Sequence, residues 1–482
     1  MKEERQPAPS ARQDNALGPH KALMKETTGR RLLMAIFSFL VLLQLAYLAW
    51  IGNGLGKLSD GFSEANALRA AQAYLKDGLA SHHGLPRQLY GNRFPGQGMV
   101  KDHIDTNGLV PLQFRQGFPP DQANPDNWVY THYPPGPDYL CAIMGRFVGL
   151  NRLWLLRLLP LSLGLLAAAV FFRALTRSFG VDRAALIAAA CLVLPMFNTY
   201  MPGLHYQGYS FALLLLQMSC LIQMLWQPGR ARLWSWPLFF AFGFLQGWLS
   251  FDQFFVVCLI SLPFWLMRRA EGSQPSVRWL FWACALPSAG FALAHILHFL
   301  QVAAEFGGIH PAFEEFRRTA AERTGQSNPV LPQTLQALLG RDTSQLGYFG
   351  SLALGGYYYL REVLILRGLH FGPFMFLALV AALPVVTFRT TRVAVITWRK
   401  QRRIACLLAW PGPKRALPAV GAALLVSLAW WLVMPAHVVG NSHITVRHLF
   451  VLYFFLLLTV VRSISVGEAP SADSGTVAAS KP

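Results

Sequence analysis

The sequence predicts an all-α polytopic membrane protein with about ten transmembrane helices and additional interfacial helices on its outer face. The chain has 482 residues, 54% of them hydrophobic, and its mean hydropathy is +0.35. One soluble core of this length would use far less apolar side chain. Apolar stretches of membrane-crossing length recur along the chain, and clustered Lys and Arg separate several of them.

The net charge of +19 follows the pattern that membrane orientation produces. The basic residues lie mainly in the N-terminal tail, in short connections and in one run from Arg389 to Arg415. Nucleic acid is the first partner that such a charge suggests, but this distribution argues against it. Four of the six cysteines fall inside apolar spans, and their spacing indicates neither a disulfide framework nor a metal site.

The first predicted span covers residues 32–51 and follows a polar tail, 1–31, that carries seven Lys and Arg. The basic flank predicts a cytoplasmic N-terminus. The length of the tail and the lack of a small-residue cleavage site favour a retained anchor over a removed signal peptide. Residues 52–152 then form a first outer loop with interfacial helices.

The later spans divide into two groups. Transmembrane helices 2–7 fall within 153–302 and helices 8–10 within 371–463, with a second outer segment, 303–370, between them. The predicted spans are 153–175, 184–201, 209–226, 234–250, 251–267, 278–302, 371–388, 416–436 and 444–463. This count puts the basic clusters on the cytoplasmic side throughout, so both termini are cytoplasmic. Residues 464–482 form a disordered tail.

One apolar stretch, Pro137 to Leu150, is too short for a span and is interpreted as an interfacial or re-entrant helix. The Leu-, Ala- and Arg-rich composition favours a bacterial inner membrane, which puts the outer segments on the periplasmic face. Chemistry is therefore expected on that face.

The stretch from Leu58 to Gly78 predicts an outer helix beginning after Ser59. Ala67, Leu68, Ala71, Tyr74 and Leu75 would form its apolar stripe. Asp60 and Glu64, four residues apart, would share one face. Acids at a helix start commonly complement the helix dipole, and spacing alone favours that interpretation. The alternative is a general base with a neighbouring carboxylate.

A second outer motif is Val129 to Pro137, VYTHYPPGP, whose prolines and glycine forbid regular helix and fix the chain extended before the next helix. Within it, His132 and Tyr133 are either interfacial aromatics or residues of a substrate cavity.

Together these motifs resemble the GT-C class of membrane glycosyltransferases, which includes protein O-mannosyltransferase-like enzymes and enzymes that add aminoarabinose or galacturonic acid to lipid A. The matching stretches are SDGFSEANALRAAQAYLKDG at 59–78, THYPPGP at 131–137 and RLLPLSLGLL from Arg157. The resemblance covers about the first 200 residues, and beyond them only the span pattern and an Arg near the last span.

The resemblance implies transfer of a sugar from a polyprenyl-phosphate donor to a glycan, lipid or protein acceptor at the outer membrane face. It assigns Asp60 as the general base and Glu64 as its neighbour, with inversion at the anomeric carbon. The leaving phosphate needs cationic partners. Arg447 is the preferred one, with His448 and Arg69 as further candidates, although an interfacial Arg also snorkels to lipid head groups.

The remaining cavity candidates are His205, Gln207, Asp252 and His443, at outer turns or span ends. Many family members have an acid near Gln207, and this departure argues against a two-carboxylate metal arrangement. His205 could still serve as a ligand, so no cofactor is certain and a divalent metal stays an open alternative. Asp252 is expected at a turn, because an acid at the bilayer centre would cost roughly 2.5–3.5 kcal/mol.

Three features of the middle of the chain can be explained by structure without a role in chemistry. His295 and His298 could line a polar cavity, but more often such a pair makes interhelical hydrogen bonds. Charges of alternating sign between Glu314 and Arg323 indicate a solvated helix face. The aromatic, glycine-rich stretch Tyr348–Tyr359 favours an interfacial helix that covers the cavity.

The alternative function is a multi-span transporter or lipid flippase, which the span count and the intramembrane His and Asp would suit. Transporters commonly contain paired halves with interrupted helices in matching positions. The sequence has no such internal symmetry, and its large first outer loop is atypical of that class.

Overall fold

The computed structural model describes residues 31, 34–35, 38–39, 41–54, 61–86, 109–111, 128–131, 133–193, 201–227, 232–324, 347–364 and 411–465. Over these residues the protein is mostly helical, in agreement with the predicted class. A two-stranded antiparallel ribbon pairs β1, Leu109–Pro111, with β2, Trp128–Tyr130, and Val110 lies opposite Val129.

The helices before the middle of the chain are α1 (Val41–Ile51), α2 (Gly61–Asp77), α3 (Gly136–Val148), α4 (Leu153–Phe179), α5 (Val181–Val193), α6 (Tyr206–Trp226) and α7 (Arg232–Leu249). Those after it are α8 (Phe254–Leu259), α9 (Ser261–Ala270), α10 (Val277–Glu305), α11 (Ile309–Thr324), α12 (Gly347–Leu364), α13 (Pro411–Val433), α14 (Pro435–Thr445) and α15 (Phe450–Ser465). A single 3₁₀ turn, Val446–Leu449, joins the last two.

Four helical segments among the described residues are long and apolar enough to cross a membrane: α4, α6, α10 and Ala416–Val433 of α13. They agree with four of the predicted spans. The predicted spans 32–51 and 184–201 are described only in part, and 371–388 lies outside the described residues. The chain is therefore a helical membrane protein by length and composition.

The predicted span over 251–267 corresponds to two consecutive helices, α8 and α9, which meet at Ile260 with helical backbone angles (φ −58°, ψ −24°). Pro263 removes one hydrogen bond near this junction, because it has no amide hydrogen to donate to the carbonyl of Leu259. The Gln217 amide of α6 donates to the carbonyl of Val257 at 2.7 Å. This side-chain hydrogen bond joins α6 to the junction of α8 and α9.

Helices α7 and α10 pack closely because glycines face backbone across their contact. A Cβ at Gly243 would overlap the carbonyl of Pro287, and one at Gly290 would overlap the carbonyl of Phe240. Pro287 cannot donate to the carbonyl of Ala283, and the hydroxyl of Ser261 donates to it instead at 3.0 Å. Small residues at such contacts are typical of packing inside membranes.

A reciprocal pair of hydrogen bonds joins α6 to α7. The Ser210 hydroxyl donates to Oε1 of Gln246, and Nε2 of Gln246 donates to the Ser210 carbonyl, both at 2.7 Å. Both side chains are buried. This polar contact fixes the register of the two helices at the end that carries the candidate site.

The helix predicted to begin after Ser59 is confirmed as α2, which packs against α3. Ala67, Leu68, Ala71 and Tyr74 are buried, as the predicted stripe requires, while Leu75 is 40% exposed. The short helix expected at Pro137–Leu150 is confirmed as α3, which has 13 residues and is too short to span.

Candidate functional site

The candidate site is built on the turn between α7 and α8, where Asp252 is fully buried. The predicted placement of this acid at a turn is confirmed. The Ser250 hydroxyl donates to Oδ1 of Asp252 at 2.7 Å, and the Tyr206 hydroxyl, from the start of α6, donates to Oδ2 at 3.3 Å. Each carboxylate oxygen of Asp252 therefore accepts a hydrogen bond from a hydroxyl group.

Arg447 forms an ion pair with Asp252, although 195 residues separate them in sequence. The 3₁₀ turn that follows α14 places its guanidinium 4.7 Å from the centre of the Tyr206 ring. Arg447 is 3% exposed, so it does not extend into head groups as an interfacial arginine would. A buried ion pair of this kind loses hydration and depends on its hydrogen bonds for compensation.

Aromatic rings form one wall beside this pair. Tyr133 stacks on Phe251 with ring centres 4.8 Å apart and on Tyr206 at 5.3 Å, and its ring lies edge-on to His205 at 6.2 Å. The paired prolines after Tyr133 restrict its backbone, as the sequence predicts. Stacked aromatic rings therefore lie beside the ion pair of Asp252 and Arg447.

Arg323 is the main residue that the sequence interpretation missed. Its guanidinium lies 3.9 Å from the centre of the Phe251 ring and 5.3 Å from that of Tyr133, and the residue is 7% exposed. The prediction of a solvated face along α11 is wrong for Arg323. It is also wrong for Glu315, which is buried and accepts a hydrogen bond from Thr131 at 2.8 Å.

The hydroxyl of Tyr133 is held between α14 and α11. Nε1 of Trp430 donates to Nδ1 of His437 at 3.0 Å, so the neutral imidazole carries its proton on Nε2 and directs it to the Tyr133 oxygen 3.4 Å away. Burial raises the pKa of Tyr133, and the nearby Arg323 opposes that rise. Tyr133 is therefore a neutral hydrogen-bonding group at neutral pH.

The other predicted residues fall into three groups. Asp60 and His132 lie outside the described residues, and the structure describes His443 only as backbone of α14. Arg69 and Gln207 are buried, and His205 is the N-cap residue of α6. His448 is 1% exposed, its ring 6.4 Å from Trp430, and neither of its ring nitrogens has a hydrogen-bond partner among the described residues.

Glu64 belongs to a separate buried ion pair with Arg157. Nε and Nη2 of Arg157 donate to the two Glu64 oxygens at 2.8 and 2.6 Å, and Nη1 and Nη2 donate to the carbonyls of Gly52 and Gly54 at 2.7 and 3.0 Å. This arrangement joins the end of α1, α2 and α4. Glu64 therefore holds the outer helix in place, next in sequence to the stretch that contains Asp60.

His298, from the end of α10, is buried and makes a contact with the residue that follows β2. Its Nε2 donates to the Thr131 carbonyl at 2.8 Å, which fixes the strand leading into the Tyr133 segment. Nearby, Nδ1 of His82 lies 3.1 Å from Oε1 of the buried Glu305, and both His82 and His83 have positive φ angles. These contacts anchor the outer loop to α10.

Asp138, in the first turn of α3, is a second buried acid. Burial raises its pKa to about 8, and its charge in turn helps to raise the pKa of the neighbouring Tyr74. The hydroxyls of Tyr74 and Tyr139 both donate to the Gly84 carbonyl at 2.7 Å. This cluster fixes α3, and with it the Tyr133 segment, against the outer loop.

The described residues contain no group of three or more His, Cys, Asp or Glu side chains placed to hold a metal ion. No family model matches the chain, and no curated protein or solved structure matches it either.

Proposed function

We propose that this protein is a membrane glycosyltransferase that moves a sugar from a polyprenyl-phosphate donor to an acceptor at the outer, periplasmic face of a bacterial inner membrane. The proposal includes the GT-C-like architecture of about ten spans. The observation that supports it best is the approach of two buried guanidiniums, Arg447 and Arg323, to one aromatic wall. Guanidiniums bind phosphate oxygens in planar, bidentate geometry.

In the proposed reaction the acceptor hydroxyl gives its proton to Asp60, and the acceptor oxygen forms a bond to the anomeric carbon of the donor. The bond from that carbon to the phosphate oxygen breaks with inversion, and polyprenyl phosphate leaves with the electron pair. Arg447, with Arg323 beside it, stabilises the charge that develops on this phosphate. Tyr133, which is partly exposed, contacts the sugar, and the buried Tyr206 supports its ring.

The two buried ion pairs, Glu64 with Arg157 and Asp252 with Arg447, are consistent with a base on one segment and a phosphate-binding arginine on another. Glu64 and Arg157 fix the helix that follows Asp60, so they position the base without touching substrate. Asp252 orients Arg447 from the opposite side. Glu64 is then a positioning residue, which refines its predicted place beside the base.

The first test compares cell-envelope glycans with and without the protein, and it identifies the acceptor and the sugar. Purified variants are then assayed for transfer of labelled sugar from polyprenyl phosphate to that acceptor in proteoliposomes. We expect Asp60→Asn to abolish turnover. Arg447→Gln should reduce turnover about 100- to 1,000-fold, as loss of one donor to a developing anion does elsewhere.

A double variant separates loss of chemistry from loss of folding. Arg447→Gln alone leaves the buried Asp252 carboxylate without its cation, which destabilises the fold. Asp252→Asn combined with Arg447→Gln removes both charges, so the protein should fold and remain inactive. Arg177→Gln, an exposed arginine in the last turn of α4, is the matched control and should be fully active.

Normal transfer by stable Asp60→Asn protein would refute the mechanism. Substrate uptake or lipid flipping without acceptor, unaffected by Asp60→Asn and Arg447→Gln, would favour the transporter alternative instead.

A further inference from the structure

A cavity of about 830 Å³ lies at the opposite end of the helix bundle from the candidate site. Tyr206 begins α6 at the site, and the last residues of α6 line the cavity, so a helix of 21 residues, about 30 Å long, separates the two. The lining residues are Met224, Leu225, Trp236, Arg268, Ser273, Gln274, Pro275, Ser276, Arg278, Trp279, Trp282 and Leu286.

The cavity lies where membrane-crossing helices end. It is formed by the end of α6 and the beginning of α10, both long and apolar enough to span a bilayer. Trp282, which lines the cavity, is 43% exposed, and the adjacent Phe281 of α10 is 59% exposed. Tryptophan is typical of the boundary between hydrocarbon and head groups. One side of the cavity therefore continues into an exposed apolar surface.

The polar side of the cavity is cationic. Arg268 is held at the rim by Glu271, whose Oε2 accepts from Nη1 of Arg268 at 3.0 Å and from Nε1 of Trp226 at 2.7 Å. Arg278, in the first turn of α10, is exposed at the same rim. Two guanidiniums and one carboxylate leave a net positive charge beside an aromatic and aliphatic wall.

We infer that this cavity binds the phosphodiester head group of an anionic phospholipid, with an acyl chain along the exposed face of α10. The guanidiniums match the charge and geometry of a phosphodiester. A free phosphate would occupy only the cationic rim and leave the exposed Phe281 and Trp282 in contact with water, whereas an acyl chain would cover them. The predicted orientation of the protein puts this end at the cytoplasmic leaflet, where anionic lipid is available to arginine.

Native mass spectrometry of the full-length protein in detergent tests this site. Phosphatidylglycerol, phosphatidylcholine and inorganic phosphate are the three probes. We expect phosphatidylglycerol to bind at least fivefold more tightly than phosphatidylcholine. Arg278→Gln should weaken phosphatidylglycerol binding about fivefold, the usual effect of one arginine near an anionic lipid surface, and Arg268→Gln with Arg278→Gln should weaken it further.

Arg177→Gln is again the control, because it removes the same charge from an exposed arginine at the same end of the bundle outside the cavity. Its binding of phosphatidylglycerol should equal that of the unmodified protein. Unchanged lipid binding by the double variant, at an unchanged thermal unfolding midpoint, would overturn the inference. Equal affinity for inorganic phosphate would overturn the assignment to a lipid.

Discussion

The buried ion pair between Glu64 and Arg157 allows the sharpest test of how the outer helix is held. Arg157 donates four hydrogen bonds, two to Glu64 and one each to the carbonyls of Gly52 and Gly54. Arg157 is fully buried and Glu64 is 1% exposed. Removal of one partner of such a pair leaves an uncompensated charge and typically costs about 3–5 kcal/mol.

We therefore expect Glu64→Leu and Arg157→Met to lower the free energy of unfolding by about 3–5 kcal/mol each. The double variant should lose much less than the sum, because it leaves no unpaired charge in the interior. The cost that remains arises from the Gly52 and Gly54 carbonyls, which lose their donor at about 1–3 kcal/mol each at most. The difference between the sum and the double variant measures the coupling of the pair.

Equilibrium unfolding in mixed micelles, followed by circular dichroism, measures these energies. Additive losses in the double variant would refute the assignment of Glu64 and Arg157 as a coupled pair. The same proteins also test the positioning role: a stable double variant that retains sugar transfer would show that Glu64 acts only on the fold.

Three further comparisons test the packing and the buried acid Asp138. Since burial raises the pKa of Asp138 from 3.8 to about 8, the native state keeps a proton that the unfolded chain releases, and stability falls between about pH 4 and pH 8. Asp138→Asn should remove this dependence. The free energy of unfolding of the variant, relative to that of the unmodified protein, should therefore increase from about pH 4 to pH 8, by at most about 6 kcal/mol, and the difference between their thermal midpoints should increase with it. Parallel pH profiles of the two thermal midpoints would contradict this. Gly243→Ala should destabilise the protein or disrupt it, because the new Cβ meets the Pro287 carbonyl, whereas Gly421→Ala, with no neighbour in reach, should be neutral or stabilising by up to about 1 kcal/mol; equal effects in a thermal unfolding assay would show that α7 and α10 are not in backbone contact. Ser210→Ala leaves the buried Gln246 amide oxygen without its donor and should cost about 1–3 kcal/mol, while Ser219→Ala, which removes a bond to the Leu215 carbonyl of its own helix, should cost less.

Local pattern was sufficient to predict those elements whose positions depend on periodicity or on the cost of charge. The apolar residues of α2 recur at helical spacing, and the same spacing decides which of them pack on α3. Asp252 interrupts an apolar stretch that is too long for one span, and the cost of burying an acid in hydrocarbon favours a turn there. The packing face of α2 and the site of the turn follow from these two effects.

Local pattern was insufficient where distant segments meet. Charges along α11 alternate at spacings that suit i,i+3 ion pairs, and Arg317 with Glu314 does form an exposed pair of that kind. Glu315 forms a pair of the same spacing with Arg318 but is buried, and Arg323 is buried as well, because Thr131 and Phe251 approach them from other parts of the chain. Ala312 and Phe316 do mark the face of the helix on which Arg323 lies, but their spacing does not say which distant segment packs there.

The two buried arginines near the outer loop differ in how their partners hold them, and this difference supports their separate roles. Arg157 donates hydrogen bonds to both oxygens of the Glu64 carboxylate and to two backbone carbonyls. A ligand that bound the Arg157 guanidinium would have to displace these hydrogen bonds. Arg447 is paired through Oδ2 of Asp252, an oxygen that Tyr206 also contacts, and it lies against an aromatic face. A phosphate oxygen that takes over part of the contact with Asp252 leaves that carboxylate with two hydroxyl donors, Tyr206 and Ser250. The carboxylate therefore keeps hydrogen bonds when Arg447 binds an anion, which favours Arg447 as the residue that meets the substrate in the proposed reaction.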